Sequence, residues 1–269
     1  FGYCKSLGTI TISSALESLS GRAFAGTKWY EDAEDGIVYI GNFVYGYKGE
    51  MPENTSLDIK EGTEQIAEYA FEGYSNLNSV LLPDSVTGIS DYAFSECSNM
   101  KSMMIPQTVT RIGENAVGMQ KSDNWRDYEA VPDFAIYGDV DSAAETYADE
   151  YGLKFVKVKH TVTFTDGDTI LYVQEVESGA DAVPPEVPAK DWYVFDSWDG
   201  NYTNVKSDIT VNAKWRLKQE YEYEVLEDGT AIITKYYGPK SEVEIPESID
   251  GIVVSGIGNS VFAGNSNLT

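Results

Sequence analysis

Residues 71–93 read FEGYSNLNSVLLPDSVTGISDYA, and residues 94–116 read FSECSNMKSMMIPQTVTRIGENA. The second line answers the first at a distance of 23 residues. Leu77 is matched by Met100, Val80 by Met103, Leu82 by Ile105, Pro83 by Pro106, Val86 by Val109, Ile89 by Ile112 and Ala93 by Ala116. A period of roughly 20–29 residues with apolar positions in L-x-x-L-x-L order is the signature of a solenoid. One such unit cannot bury its own apolar side, so it has to stack on a neighbour.

Residues 1–24 carry the grammar again, with Leu7, Ile10, Ile12, Leu16, Leu19 and Ala23 in the apolar slots and Phe24 opening the next unit. The runs LGTITI and SVLLP alternate, as short strands do. This sends Ile10, Ile12, Val80, Leu82, Met103 and Ile105 into the stack and leaves Thr11, Asp58, Leu81 and Met104 facing outward. Leu81 and Met104 then form an exposed apolar pair beside Pro83 and Pro106, a patch of the kind that marks a partner surface. The competing expectation is that a loop such as 118–131 folds over them.

Phe24 and Phe71 stand 47 residues apart, two periods plus one. The second half of that interval fits the template through Leu57, Ile59, Ile66 and Ala70. The first half instead holds two apolar runs around Gly41-Asn42, which predicts a hairpin over 28–48. Its aromatics (Trp29, Tyr39, Phe43, Tyr45, Tyr47) suit either a local brace or a binding insertion.

After Val117 the period fails. A polar loop at 118–131 is followed by a strand at Phe134–Tyr137 and a helix over Ser142–Tyr151, with Asp141 as the expected N-cap and Gly152 as the stop. A solenoid needs an atypical last unit to cover its open apolar end, and 118–158 has that character. Residues 159–217 predict a small β-rich module with a turn at Asp166-Gly167 and a core drawn from Trp192, Phe195, Trp198 and Trp215. From Tyr221 another hairpin forms around Asp228-Gly229, and Val243, Ile245, Pro246, Ile257 and Phe262 bring the solenoid pattern back over 218–269.

The formal net charge of −25 argues against nucleic acid and against anionic membrane surfaces, because phosphate binding needs clustered Lys and Arg. No run of about 18 apolar residues occurs, so membrane insertion is not expected. Phe1 opens in mid-repeat, as in a piece cut from something longer. Cys4 and Cys97 hold equivalent slots about four rungs, or roughly 20 Å, apart. That is far beyond the reach of a disulfide, so two free, packed thiols are expected.

Catalytic chemistry is hard to find. His160 is the sole histidine and lies at a module boundary without G-x-S-x-G nearby. No zinc spacing, EF-hand loop or phosphate loop occurs. The turns Asp139–Asp141 and Asp166–Asp168 could hold a weak surface cation, although turn chemistry explains them better. Paired carboxylates are uninformative in a chain with 44 acids. No catalytic, metal or cofactor residue is nominated.

The pattern F-x-x-C-x-x-L-x-x-V/I-x-I/L-P-x-x-V-x-x-I-x-x-x-A-F resembles the BspA-like leucine-rich repeats of bacterial surface proteins. The likeness runs through residues 1–117, and the segment IYGDVDSAAETYADEYGLKF at 136–155 resembles that family's usual ending. Residues 219–269 resemble the start of a second block. The middle stretch, 160–216, is similar to the internalin-type B-repeat, a β-grasp-like module of secreted Gram-positive proteins. One departure is that Ala15, Ser85 and Thr108 fill a slot where many such repeats keep Asn, so turn backbones must be satisfied by other groups.

The expected architecture is therefore mainly β: a leucine-rich solenoid with a helical cap, a β-grasp-like module, and the opening of a second solenoid. The resemblance implies a non-catalytic extracellular or cell-surface module that binds a protein or glycan in adhesion. Rival readings are a passive spacer that presents another domain and, more remotely, a carbohydrate-active enzyme. End-to-end self-association through Phe1 and the Phe262–Thr269 segment is a further expectation.

Overall fold

The computed structural model describes residues 2–13, 15–124, 126–190, 193–217, 220–238, 240 and 242–265. It is mainly β and builds a solenoid of stacked coils. Two compact units emerge, Phe1–His160 with Glu177–Ala180, and Thr161–Val176 with Asp181–Thr269. No helix among the described residues is long and apolar enough to cross a membrane.

The first unit contains α1 (Lys28–Glu31), β1 (Gly36–Ile40), β2 (Phe43–Lys48), β3 (Thr55–Asp58), β4 (Gln65–Ile66), β5 (Leu77–Leu81), β6 (Gly88–Ile89), β7 (Ser102–Met104), β8 (Arg111–Ile112), β9 (Met119–Lys121), β10 (Tyr128–Ala130), β11 (Ala135–Gly138), α2 (Ala143–Tyr151) and β12 (Lys154–Lys157). The 23-residue repeat becomes parallel pairing. Ile66 lies opposite Ile89 and Ile89 opposite Ile112, while Leu57 lies opposite Val80 on the other flank of the coil. Between these two strand columns the repeated apolar side chains Val80, Leu82, Val86 and Ile89 are buried, as are Met103, Ile105 and Val109 one rung on, while Ile112 is half-buried.

The turns carry a second ladder. Tyr69, Phe71 and Gly73 donate their N–H groups to the carbonyls of Asp91, Ala93 and Ser95, and Tyr92, Phe94 and Glu96 repeat this onto Glu114, Ala116 and Met119. The work of the missing asparagine is shared differently. The Ser85 hydroxyl donates to Thr63 O at 2.8 Å and accepts from Gly62 N at 3.1 Å, tying one rung to the next.

The interval between Phe24 and Phe71 is one widened rung, not two. Glu68 N donates to Leu19 O, and Gly21 N donates to Glu68 O, so the first copy lies directly against the third. The hairpin β1–β2 wedges in beside them, and β2 joins β4 in parallel to give a sheet ordered β1-β2-β4-β6-β8. This wedge explains a second correction. Residues 7–12 form no strand, because Leu7 O accepts from Trp29 N and Ile12 packs on Gly41 where a neighbouring rung would stand. Ile10 and Ile12 are consequently only half-buried.

The cap follows expectation with two changes. Residues 118–131 hold the short antiparallel pair β9–β10 where a loop was expected. The N-cap of α2 is Ser142, whose Oγ accepts from Glu145 N, while the Glu145 carboxylate accepts from Asp141 N. Asp141 stands one residue too early and takes a left-handed conformation. Gly152 ends the helix at φ 65°, and β11 and β12 extend the strand column from β7.

The second unit is formed around β13 (Lys159–Asp166), β14 (Thr169–Glu177), β15 (Tyr193–Asp199), β16 (Ile209–Leu217), β17 (Tyr221–Val225), β18 (Ala231–Tyr236), β19 (Ser248–Ile249) and β20 (Ile252–Ile257). The first four make a sheet ordered β14-β13-β16-β15, with Phe164 buried against Trp198 and Tyr202. Phe195 touches both Trp198 and Trp215, and Trp192 lies outside the described residues. The last four strands share one pairing with the first unit. β18 runs parallel to β20 with Ile233 opposite Ile257, and Gly258 N donates to Ile233 O as Ala67 N does to Val44 O. The expected strand at Val243–Ile245 is absent, although both side chains pack on the Tyr221–Tyr236 cluster.

Candidate functional site

The outer face of the strand column in the first unit is its most distinctive surface. β3, β5, β7, β11 and β12 present every second side chain outward, a consequence of the strand period of two. Register places Asp58 opposite Leu81, Met104 opposite Tyr137, and Tyr137 opposite Val156, and β5 lies beside β7. Leu81 is 62% exposed, Met104 54% and Tyr137 37%. The loop at 118–131 therefore does not cover the pair, and the alternative expectation fails. Next to this apolar row runs a row of small polar groups, Ser56, Ser79 and Ser102, with Ser79 Oγ donating to Ser56 Oγ at 2.8 Å.

Sequence reading found Leu81 and Met104 but not Tyr137 or Val156, which extend the same row. Their signal was present in the strand alternation that buries Ile136 and turns Tyr137 out, but the repeat period no longer indexes that part of the chain.

The hairpin aromatics pack largely against the solenoid. Phe43 and Tyr45 are fully buried, and the Tyr45 ring meets Phe24, Trp29 and Tyr30 at centroid distances of 5.8, 5.4 and 5.7 Å. Tyr45 Oη accepts from Phe24 N, and burial raises its pKa above the ordinary phenol value. Tyr30 and Tyr74 both donate to Tyr47 O. Tyr39 lies under the Lys60 ammonium, 4.0 Å away. These contacts tie the hairpin to the solenoid.

The remaining candidates are occupied by structural partners. His160 pairs through Nε2 with Asp139, both largely buried, while the Ser142 hydroxyl next to them donates to Asp139 O and caps α2. Asp166 accepts from Lys190 Nζ at 2.6 Å and from Trp215 Nε1 at 2.9 Å, and the Lys190 hydrogen bond holds its carboxyl below the usual range. Both cysteines are free. Cys97 is buried, its thiol donating to Phe71 O, and burial pushes its pKa up to about 12. Cys4 is exposed, contrary to expectation, since the described residues place no rung under it as Phe71 lies under Cys97.

The family model for the BspA type leucine rich repeat region matches this chain in six copies, over residues 1–50 and 39–125. Residues 1–125 are similar to that repeat. The match covers the widened rung and the stacked copies, so the wedge hairpin lies within the family-like region. No curated protein matches the chain. Repeats of this type commonly serve as protein-binding modules of bacterial surface proteins and typically form non-enzymatic scaffolds.

Proposed function

We propose that this chain is a non-catalytic, extracellular binding module whose strand face docks a protein. The observation that carries the reading is the exposed row Leu81, Met104, Tyr137 on a rigid, register-fixed sheet. Leu81 and Met104, the two most exposed members of the row, carry no group that hydrogen-bonds a hydroxyl, so their exposure favours an apolar ridge on a protein over a glycan. The partner's rim is basic. A chain of net charge −25 attracts cationic surfaces and repels acidic ones over a screening length of about 8 Å at physiological salt.

On this reading the module belongs at the cell surface of a Gram-positive bacterium and acts in adhesion. The middle segment, whose residues resemble an internalin-type B-repeat, spaces the two repeat blocks. A pure spacer is disfavoured because it has no use for an apolar row that costs solubility. A panel of extracellular proteins screened against the wild type and a Leu81→Arg/Met104→Arg double variant tests the reading. The expected result is capture of a basic protein by the wild type and loss of more than about tenfold in affinity in the variant. Equal binding by both, or a ligand whose affinity rises when its basic residues are removed, contradicts it.

A further inference from the structure

A strand at the edge of a sheet leaves one row of backbone N–H and C=O groups open to pairing, and several edges here are blunted. β12 carries Lys154 and Lys157. β15 carries Asp196 and a register shift between Phe195 and Ser197, and β17 carries Glu222, Glu224 and a shift between Glu222 and Tyr223. β8 and β19 are only two residues long. Charges, bulges and shortness all hinder the addition of another strand.

β14 lacks these defences over most of its length. It ends the sheet ordered β14-β13-β16-β15, is nine residues long, and reads TILYVQ over 169–174 with neither charge nor proline. Ile170 is 62% exposed, Tyr172 46% and Val173 50%. Alternation sets Ile170 and Tyr172 on one face of the strand and Val173 on the other, so apolar surface is open on both sides of the edge. No described strand pairs with that edge. The proline-rich crossing leaves it open as well. Val183 N donates to the Gln174 side chain at 3.0 Å and Ala182 N donates to Tyr202 O, and no described backbone bond joins residues 181–190 to β14.

A strand laid beside β14 would satisfy its outward backbone groups, while side chains of the newcomer met Ile170, Leu171, Tyr172 and Val173. Only an extended polypeptide offers that match. Charge then chooses among polypeptides. Asp168 precedes the apolar run and Glu175 follows it; both are exposed, and neither pairs with a cation among the described residues. A second copy, added antiparallel, would bring its own Asp168 and Glu175 against these, together with a net charge of −25. A strand with lysine or arginine at both ends of an apolar run of about four residues meets opposite charges instead.

We infer that the outer edge of β14 accepts an extended segment of another protein as an added strand, a run of apolar residues bracketed by lysine or arginine. The test is amide chemical-shift mapping and hydrogen exchange of the full chain with the capped octapeptide KKIVVTKK. Its controls are EEIVVTEE and two forms of KKIVVTKK, N-methylated at one or the other alternate pair of core residues. KKIVVTKK is expected to bind with a Kd of about 100 µM or tighter, shifting the amides of residues 170–173 and slowing exchange there. EEIVVTEE binds at least about tenfold more weakly. One N-methylated form loses binding and the other keeps it, because only one set of N–H groups in an added strand faces β14. Ile170→Lys/Val173→Lys, at two exposed positions, weakens KKIVVTKK about tenfold, while Leu81→Arg/Met104→Arg leaves it unchanged. The inference is overturned if KKIVVTKK does not bind or shifts amides elsewhere, or if EEIVVTEE binds as well. It is overturned equally if both N-methylated forms bind like the parent, the mark of charge attraction alone. Concentration-dependent shifts of residues 170–173 in the chain alone would assign the edge to a second copy and overturn it too.

Discussion

The rings of Phe71 and Phe94 lie 5.1 Å apart between centroids and 9° from parallel, and the backbone N–H of Phe71 donates to the residue just before Phe94. The same ring spacing recurs two residues earlier, where Tyr69 and Tyr92 stack at 5.1 Å and 7°. A 23-residue period has become one rung of translation, and the buried phenylalanines record it in the core. Each ring removes apolar surface worth about 1.5–3 kcal/mol from water, and the pair adds about 0.5–1.5 kcal/mol through its geometry. A double-mutant cycle with Phe71→Leu and Phe94→Leu is therefore expected to give a coupling energy of about 1 kcal/mol by urea unfolding. Additive single-variant losses would mean that the rings do not act as a pair.

The turn backbone makes a separate prediction. Two residues after each repeat phenylalanine the chain is left-handed: Gly26 at φ 68°, Gly73 at 79°, Glu96 at 60° and Gly264 at 80°. A Cβ at Gly73 would meet nothing within 4 Å, so Gly73→Ala isolates the backbone effect. It is expected to cost about 1 kcal/mol. Glu96→Gly should gain a similar amount, less the partly exposed ion pair with Lys121 at 2.8 Å. Chemical denaturation measures both, and a neutral Gly73→Ala would contradict the left-handed assignment.

Cys97 gives the alkaline limb of stability. Its thiol titrates near 9.0 when free of the fold and at about 12 inside it, because burial disfavours the thiolate. The folded state keeps its proton longer than the unfolded state. Stability is thus full below pH 9 and falls as pH rises from 9 towards 12. Tyr147 and Tyr45, both raised by burial, act in the same direction. Thermal unfolding should show a melting temperature that declines over this window, with a shallower decline for Cys97→Ala. Iodoacetamide at pH 8 should label the exposed Cys4 and spare Cys97 until the chain is unfolded.

Much of this was legible from residues 71–116, because identical slots at a fixed spacing leave few ways to bury an apolar stripe. The wedge hairpin was legible as a hairpin, with a local brace as one of its two readings, but its place in the stack was not. Its alternation shows two strands, while the placement of β2 against β4 depends on a parallel contact that no local pattern encodes. The N-cap was misplaced by one residue because Asp141 and Ser142 are both good caps, and the reciprocal bond from Glu145 selects the serine. Tyr137 and the hydrogen bond from Arg111 to Glu17 O escaped notice since both join segments from distant parts of the chain, Met104 with Tyr137 and Glu17 with Arg111.

Ile257 offers a test of self-association. It pairs with Ile233 as Ile66 pairs with Val44, yet Ile66 is fully buried beneath β6 while Ile257 is half exposed. We propose that chains associate through the exposed Ile257; of the expected contacts Phe1 and Phe262–Thr269, Phe262 packs on Tyr236, and Phe1 and residues 266–269 lie outside the described residues. Light scattering should show association that strengthens as salt screens the net charge of −25 and disappears in Ile257→Lys. A monomer at all salt concentrations would contradict it.

The stacking itself can be observed bond by bond. A long-range HNCO experiment detects scalar coupling through hydrogen bonds, correlating each amide nitrogen with the carbonyl carbon it donates to. Stacked rungs predict cross-peaks from Phe71 N to the Ala93 carbonyl and from Phe94 N to the Ala116 carbonyl. Amides of Phe71 and Phe94 coupled only to carbonyls within their own turns would show that the copies do not lie one on another, and the account would fail with them.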